Sequence, residues 1–361
     1  MKTPALPASR HRTLFIASLH AVFFVVLVVM FVYLYQLAIG SLHTEEIRRV
    51  EKVVDQSMNS LEIQIELYKQ ALYGARAFVM SDATINRQSW ISFFDNNAFV
   101  RRMPGMSALG YVKKVRPAER AEFIQSIQKD TSFNGVGYPT FALYPEITDE
   151  LADRYVITHV APAAAENNSR AFGLDFRLDP VRWEALQKTR DSNRVAITEP
   201  IRGIDSGKPA FVMMLAWYDP AKQVVTPQDR VDAFGGVITT GFRNEEFFNG
   251  VFGQLAKDEV TVEVFDGVEL SENALIYSNI PEKRVLGAET PADPVVNEKD
   301  NSITVLRQFD VAGRVWSIRF MAPHEVRSPQ VSIPLPLMVL AMLVFIGFGS
   351  VFVSKMVVRN R

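Results

Sequence analysis

Two uninterrupted apolar stretches constrain this chain more than anything else in it. Leu14–Ile39 reads LFIASLHAVFFVVLVVMFVYLYQLAI, with His20 its only ionisable group, and Ile333–Val353 carries no charge at all. A bilayer core about 30 Å thick is crossed by about 20 apolar residues in a helix, so each stretch is long enough to span it. The first is too long for a signal-peptide core and runs into helical sequence without a small-residue cleavage site. Lys2, Arg10 and Arg12 precede it, and Lys355, Arg359 and Arg361 follow the second. Positive flanks face the cytoplasm, which places residues 1–13 and 354–361 inside and residues 40–332 on the far side of an inner membrane. His20 reads as a helix–helix hydrogen-bond partner rather than a proton relay.

The far-side portion opens with a long helix over 40–82. Ile47, Val50, Val54, Met58, Leu61, Ile65, Tyr68, Leu72, Ala75 and Val79 recur at alternating threes and fours, with Glu45, Glu46, Arg48, Arg49, Glu51, Lys52 and Asp55 between them. A seam of period 3.5 fits packing on the protein's own domain and also fits a parallel homodimer; the regularity is the argument for the dimer.

Beyond the stalk the patterns alternate between strand and helix. Ala108–Val115, Tyr155–Val160, Val195–Thr198 and Ala210–Tyr218 read as strands, and Pro117–Lys129 as a helix opened by proline. Asp179-Pro180 is an N-cap followed by a first-turn proline, and it starts a helix that Asn193 can close in the left-handed conformation. A second set follows: strands at 235–240, 260–265, 274–277, 303–309 and 315–321, with a short helix from Asn244. Hairpin-joined strands with helices packed on them make an α+β fold, not a doubly wound sheet.

The chemistry-bearing motifs are few. There is no cysteine, which removes disulfides and thiol chemistry. A net charge of −1 without basic blocks gives no case for nucleic acid. No HExxH, phosphate-binding loop or GxSxG occurs, and Glu245-Glu246 occupy adjacent helix positions that point apart. His159 reads as a core or edge histidine. No cofactor or metal is expected. The polar cluster Glu166-Asn167-Asn168-Ser169-Arg170, between a strand and a helix, is either a solvated loop or the rim of a pocket.

GYVKKVRPAERAEF (Gly110–Phe123), APAAAENNSRAFGLDF (Ala161–Phe176), DPVRWEALQKTRDSNRVAITEPI (Asp179–Ile201) and GGVITTGF (Gly235–Phe242) carry a resemblance. Together they resemble the CHASE domain, the extracytoplasmic sensory domain of membrane histidine kinases and nucleotide cyclases, over roughly Tyr73–Tyr277. The resemblance implies a stalk helix and two PAS-like subdomains, a membrane-distal ligand-binding one over 83–232 and a membrane-proximal one over 233–327. Family members usually continue into a catalytic output domain, whereas this sequence ends shortly after the second apolar stretch. The resemblance also puts Arg182 where the plant cytokinin receptors hold an adenine ring with aspartate, and Met214 where they have a threonine.

A cation at 182 favours an anionic ligand. Asn168, Arg170, Asp175, Arg182, Trp183, Thr198, Ile204 and Met214 are the expected ligand-binding residues, although Asp175 and Asn168 could equally hold only the loop's shape. The expected protein is a membrane sensor of a small, anionic molecule, homodimeric through its stalk and read by a separate cytoplasmic signalling protein. A far-side scaffold for a protein partner and a far-side enzyme are the alternative readings. Reporter fusions after Leu42 and after Arg361 should fall on opposite sides of the membrane; one side for both rules out two spans.

Overall fold

The computed structural model describes residues 8–81, 85–133, 135–145, 151–162, 170–204, 207–255, 260–280, 294–297, 302–324, and the single positions 346 and 349. The chain divides into two compact units. One is Met1–Lys52, Val296–Ile303 and Pro323–Arg361; the other is Val53–Val295 and Thr304–Ala322. The first unit contributes the start of helix α1 (Ala8–Ser81). Among the described residues no helix is long and apolar enough to cross a membrane. Leu14–Ile39 lies within α1, where several side chains are outside the described residues, and Ile333–Val353 lies outside them apart from Ile346 and Gly349.

The second unit holds the first sheet and most of the second. Its first sheet is formed by β1 (Met106–Val115), β2 (Arg154–Ala161), β3 (Ala196–Ile197), β4 (Ile201–Arg202), β5 (Pro209–Tyr218) and β6 (Phe234–Arg243). The spatial order is β2-β1-β6-β5-β3, with β4 also paired to β5. β6 pairs antiparallel with β1 from Met106↔Phe242 to Lys113↔Gly236, and with β5 from Ala210↔Arg243 to Tyr218↔Phe234. The boundary expected at 232/233 is therefore wrong, because it removes the central strand of the sheet. Local sequence marks 235–240 as a strand, but pairing between distant segments decides which sheet the strand joins.

Helices cover both faces of this sheet. α2 (Arg87–Asn96), α3 (Phe99–Arg102) and α4 (Arg120–Lys129) precede β2, and α5 (Pro180–Ser192) lies between β2 and β3. α5 starts as its sequence predicts: the Asp179 side chain accepts from the Arg182 N–H at 2.9 Å, Pro180 occupies the first turn, and Asn193 closes the helix at φ 56°. α2 is not among the expected elements, although Asn86 and Ser89 form a capping box at its start and bury Trp90, Ile91 and Phe94 behind it. α6 (Pro227–Asp232) leads into β6, and α7 (Asn244–Phe252) leads out of it.

The second sheet runs β8 (Leu275–Ser278), β7 (Thr261–Asp266), β11 (Arg314–Pro323), β10 (Ser302–Val311); β9 (Val295–Asn297) precedes β10 in the chain. The two sheets meet through aromatic rings. Phe211 of β5 and Phe248 of α7 stand 5.4 and 5.2 Å from Trp316 of β11. At another point Arg314 binds Asp266 at 3.0 and 2.6 Å and reaches Glu199, beyond β3, at 3.2 Å.

The seam of α1 is turned toward the protein itself. Val54, Leu61, Ile65, Tyr68, Leu72, Ala75 and Val79 are all buried within the single chain, and the Tyr68 ring sits 4.5 Å from Phe242 of β6. Tyr68 also donates to the Pro104 carbonyl. A dimer cannot use the same surface, so the expectation that this seam joins two copies is corrected. The 3.5 repeat specifies a straight apolar stripe; it does not say whether a second helix or a sheet covers it.

His159, on β2, is buried beside Tyr111 and Trp90, with ring centroids 5.6 and 6.5 Å away. Its Nδ1 lies 2.9 Å from the Thr158 hydroxyl. Burial pushes the imidazole down to about 4. An unfolded histidine takes its proton near 6.5, while the folded one stays neutral until about pH 4. His159 therefore leaves stability intact above about pH 6.5 and removes about 3 kcal/mol as pH falls toward 4. The urea midpoint of the protein should drop further between pH 7 and pH 4.5 than that of His159→Gln; equal drops would mean that His159 is hydrated.

Candidate functional site

Residues 171–175, ahead of α5, are fixed by a short set of backbone bonds. Gly173 N–H donates to the Ile157 carbonyl at 2.9 Å, and Ile157 N–H donates to Leu174 at 3.0 Å. Tyr144 N–H donates to Gly173 at 3.0 Å, and Asp175 N–H to Tyr144 at 2.9 Å. Gly173 has φ +92°, and a Cβ there would come within 2.2 Å of the Ala142 carbonyl oxygen, so only glycine passes.

Asp175 follows, fully buried. One carboxylate oxygen accepts from the N–H groups of Tyr155 and Arg177, each at 3.0 Å, and Arg154 Nε lies 4.0 Å from the other. Burial raises its pKa above the ordinary value, against those two hydrogen bonds and Arg154. Asp175 thus organises the backbone of this segment.

Between the segment and the sheet is a cavity of about 80 Å³. Ala108 and Gly110 of β1, Ile157 of β2, Ala210 and Val212 of β5, and Thr239 and Gly241 of β6 supply its sheet wall. Ala171, Phe176 and Arg182 close it from the side of α5, and Ile201, Gly203 and Ile204 from the β3–β5 connection. The space exists because the sheet presents small residues here. At Gly110 a Cβ would come within 2.8 Å of Thr239 Cγ2.

Arg182 is the buried cation of the wall. Its Nη1 donates to Asp179, whose side chain is part-exposed, and its guanidinium lies 6.0 Å over the Phe176 ring. Arg243, at a more open edge, bonds Glu246 at 2.9 and 3.2 Å. Among the described residues no group of three or more acidic or histidine side chains could hold a metal ion.

The expected site residues divide sharply. Arg182 and Ile204 line the cavity. Met214 does not: it is fully buried in the core with Leu186, Ala185 and Phe176, two residues along β5 from Val212. Thr198 is buried as a strand partner; its hydroxyl accepts from Val212 N–H at 3.0 Å and its own N–H donates to Val212 at 2.9 Å. Trp183 turns away, one helix position from Arg182, and packs on Tyr155 at 5.1 Å along an outer cleft with Arg177 and Arg190. Arg170 is exposed and outside the lining, and Asn168 lies outside the described residues. Ala108, Gly110, Ala210, Thr239 and Gly241 are among the lining residues the sequence reading missed. Their signal was small side chains two apart on one strand, 108 and 110 on β1 and 239 and 241 on β6.

Residues 83–277, more than half of the chain, match the CHASE domain. The chain belongs to the CHASE-domain family. Membership makes this region an extracytoplasmic sensory domain. Among solved structures, the ligand-binding domain of the Pseudomonas aeruginosa amino-acid chemoreceptor PctC, in complex with GABA, superposes with TM-score 0.44 at 10% identity, covering 77% of this chain and 99% of its own. That of the Pseudomonas fluorescens chemoreceptor CtaA with L-alanine gives 0.45 at 10% identity, covering 76% and 96%. The periplasmic sensory domain of Campylobacter jejuni Tlp1 gives 0.41 at 12% identity, covering 79% and 95%. No functionally curated protein matches the chain in sequence.

Asp175 and Arg182 should separate cleanly in a stability test. Asp175→Ala strands two buried N–H donors and should cost about 2–4 kcal/mol. Arg182→Ala leaves only the part-exposed Asp179, which water can reach, and should cost less than Asp175→Ala. Thermal melts of the purified variants check the value and the order.

Proposed function

We propose that the protein is a membrane-anchored receptor whose CHASE domain takes a small molecule into the cavity between the first sheet and the segment leading into α5. The observation that carries this reading is the cavity itself: small residues on three strands open it, and a buried guanidinium stands in its wall. Protein interiors are close-packed, so a sheet that forgoes side-chain volume around a buried cation supports a ligand site there.

The two apolar stretches anchor the receptor, with both ends in the cytoplasm and the sheets outside. In the first stretch the large side chains of Phe15, Val22, Val25, Val29 and Tyr33 are exposed, which suits lipid and not water. The reading ends in signal transfer rather than catalysis. Arg76 of α1 donates to the Asn193 side chain, the closing residue of α5, at 2.8 Å and to the Ala216 carbonyl at 3.3 Å. A shift of α5 over an occupied cavity therefore has a polar tie to the stalk, and a separate cytoplasmic protein reads the result.

Since the stalk's buried seam faces the first sheet, dimer contact falls to the opposite side of α1. There Ser60, Ile63, Leu67, Gln70, Gly74 and Ala77 recur at threes and fours, exposed and uncharged. The protein has no native cysteine, so single cysteines at Ile63 or Leu67 should cross-link between chains while those at Leu61 or Ile65 should not. The reverse pattern would put the sheets' packing on α1 in error.

Native mass spectrometry of the full chain in nanodiscs tests the ligand reading. A small molecule should accompany the wild type and be lost from Ala210→Phe, which fills the cavity. A molecule retained by that variant places the site elsewhere.

A further inference from the structure

We infer that the cavity selects a short carboxylic acid of two or three carbons and rejects the corresponding amino acids. This rests on the cavity's being the ligand site, and it follows from size and charge. About 80 Å³ is roughly half of the ~150 Å³ that accommodates benzene, so the space suits a ligand of a few heavy atoms. Most of its wall is alkyl or glycine, which suits a short hydrocarbon tail.

The polar end is set by Arg182. Among the described residues its side chain has one hydrogen-bonding partner, Asp179, reached through Nη1. A guanidinium carries five N–H donors, so a planar edge remains for a second carboxylate. Asp179 is not part of the lining; it holds the guanidinium from behind, with its side chain 30% exposed.

An ammonium group has the opposite prospects. Among the described residues no aspartate or glutamate lines the cavity, and the two charged side chains that do, Arg182 and Arg243, are both cations. Burying an ammonium beside a guanidinium without a carboxylate is strongly unfavourable. An α-amino acid would gain at its carboxylate and lose more at its nitrogen. The acid without the nitrogen keeps only the gain.

Three probes of nearly equal size decide this: propionate, propionamide and alanine, each titrated against the full chain in detergent with the melting temperature as readout. Propionate should raise the melting temperature saturably and alanine should not. Propionamide, which keeps shape but not charge, should need a concentration about tenfold or more higher. Arg182→Gln should remove the preference for propionate over propionamide. Arg182→Lys, which keeps the charge without the fork, should lower it, and the apo melting temperature of each variant reports whether it folds.

Stabilisation by alanine equal to that by propionate would overturn the exclusion of ammonium while leaving the cavity as the ligand site. Stabilisation by propionamide but not propionate would overturn the acid and also leave the site. Silence from all three overturns the inference, and retention of a co-purifying molecule by Ala210→Phe then separately removes the cavity as the site.

Discussion

The buried carboxylate of Asp175 is the interaction on which the cavity beside α5 depends. A desolvated aspartate is costly, and two backbone N–H donors with a nearby guanidinium offset that cost only while the chain holds one path. That path leads from Asp175 into α5. Phe176 and Arg182, which close the cavity, follow within one to seven residues. Gly173 belongs to the same constraint, since its positive φ and its closeness to Ala142 let the chain turn into the Asp175 position. Arg182 is then aimed by its helix start, where Asp179 receives both its backbone N–H and its side chain.

Sequence made some of this legible and some not, and the division follows the range of the interactions. The Asp179-Pro180 start and Asn193 end of α5 are local chemistry, and the structure has them where the sequence puts them. Apart from β4 and β9, which the sequence reading did not mark, the strands of both sheets are likewise near their expected positions. β6 is the failure, because its alternation says strand and nothing in residues 234–243 says that its neighbours lie more than 100 residues upstream in β1 and close by in β5. The stalk seam failed for a related reason: a helix records the spacing of what covers it, not its identity.

Within the cavity wall the same logic separates the expected residues that line it from those that do not. The inward direction of Arg182 was readable because Leu186, its i+4 neighbour, is an evident core residue. Trp183 was misread because an aromatic beside an inward residue is about 100° away, and here that direction leads to Tyr155. Met214 and Thr198 were drawn in by family position, yet one fills the core and the other extends the pairing of β3 with β5. The lining that was missed consists of residues defined by what they lack. Gly110, Ala210 and Gly241 announce a cavity only once three strands lie side by side.

The contact between the two sheets joins materials of different kinds. On one side Phe211, Phe248 and Trp316 form a dry aromatic pivot, insensitive to ions. On the other, Arg314 spans from Asp266 to a half-exposed Glu199, two residues before Ile201 of the cavity wall. Charge pairs in contact with water are screened by salt, and apolar packing is not. Ionic strength therefore acts on one edge of this junction alone. The sheets are coupled like a door with a greased hinge and a magnetic catch, whose catch weakens in brine while the hinge keeps its axis.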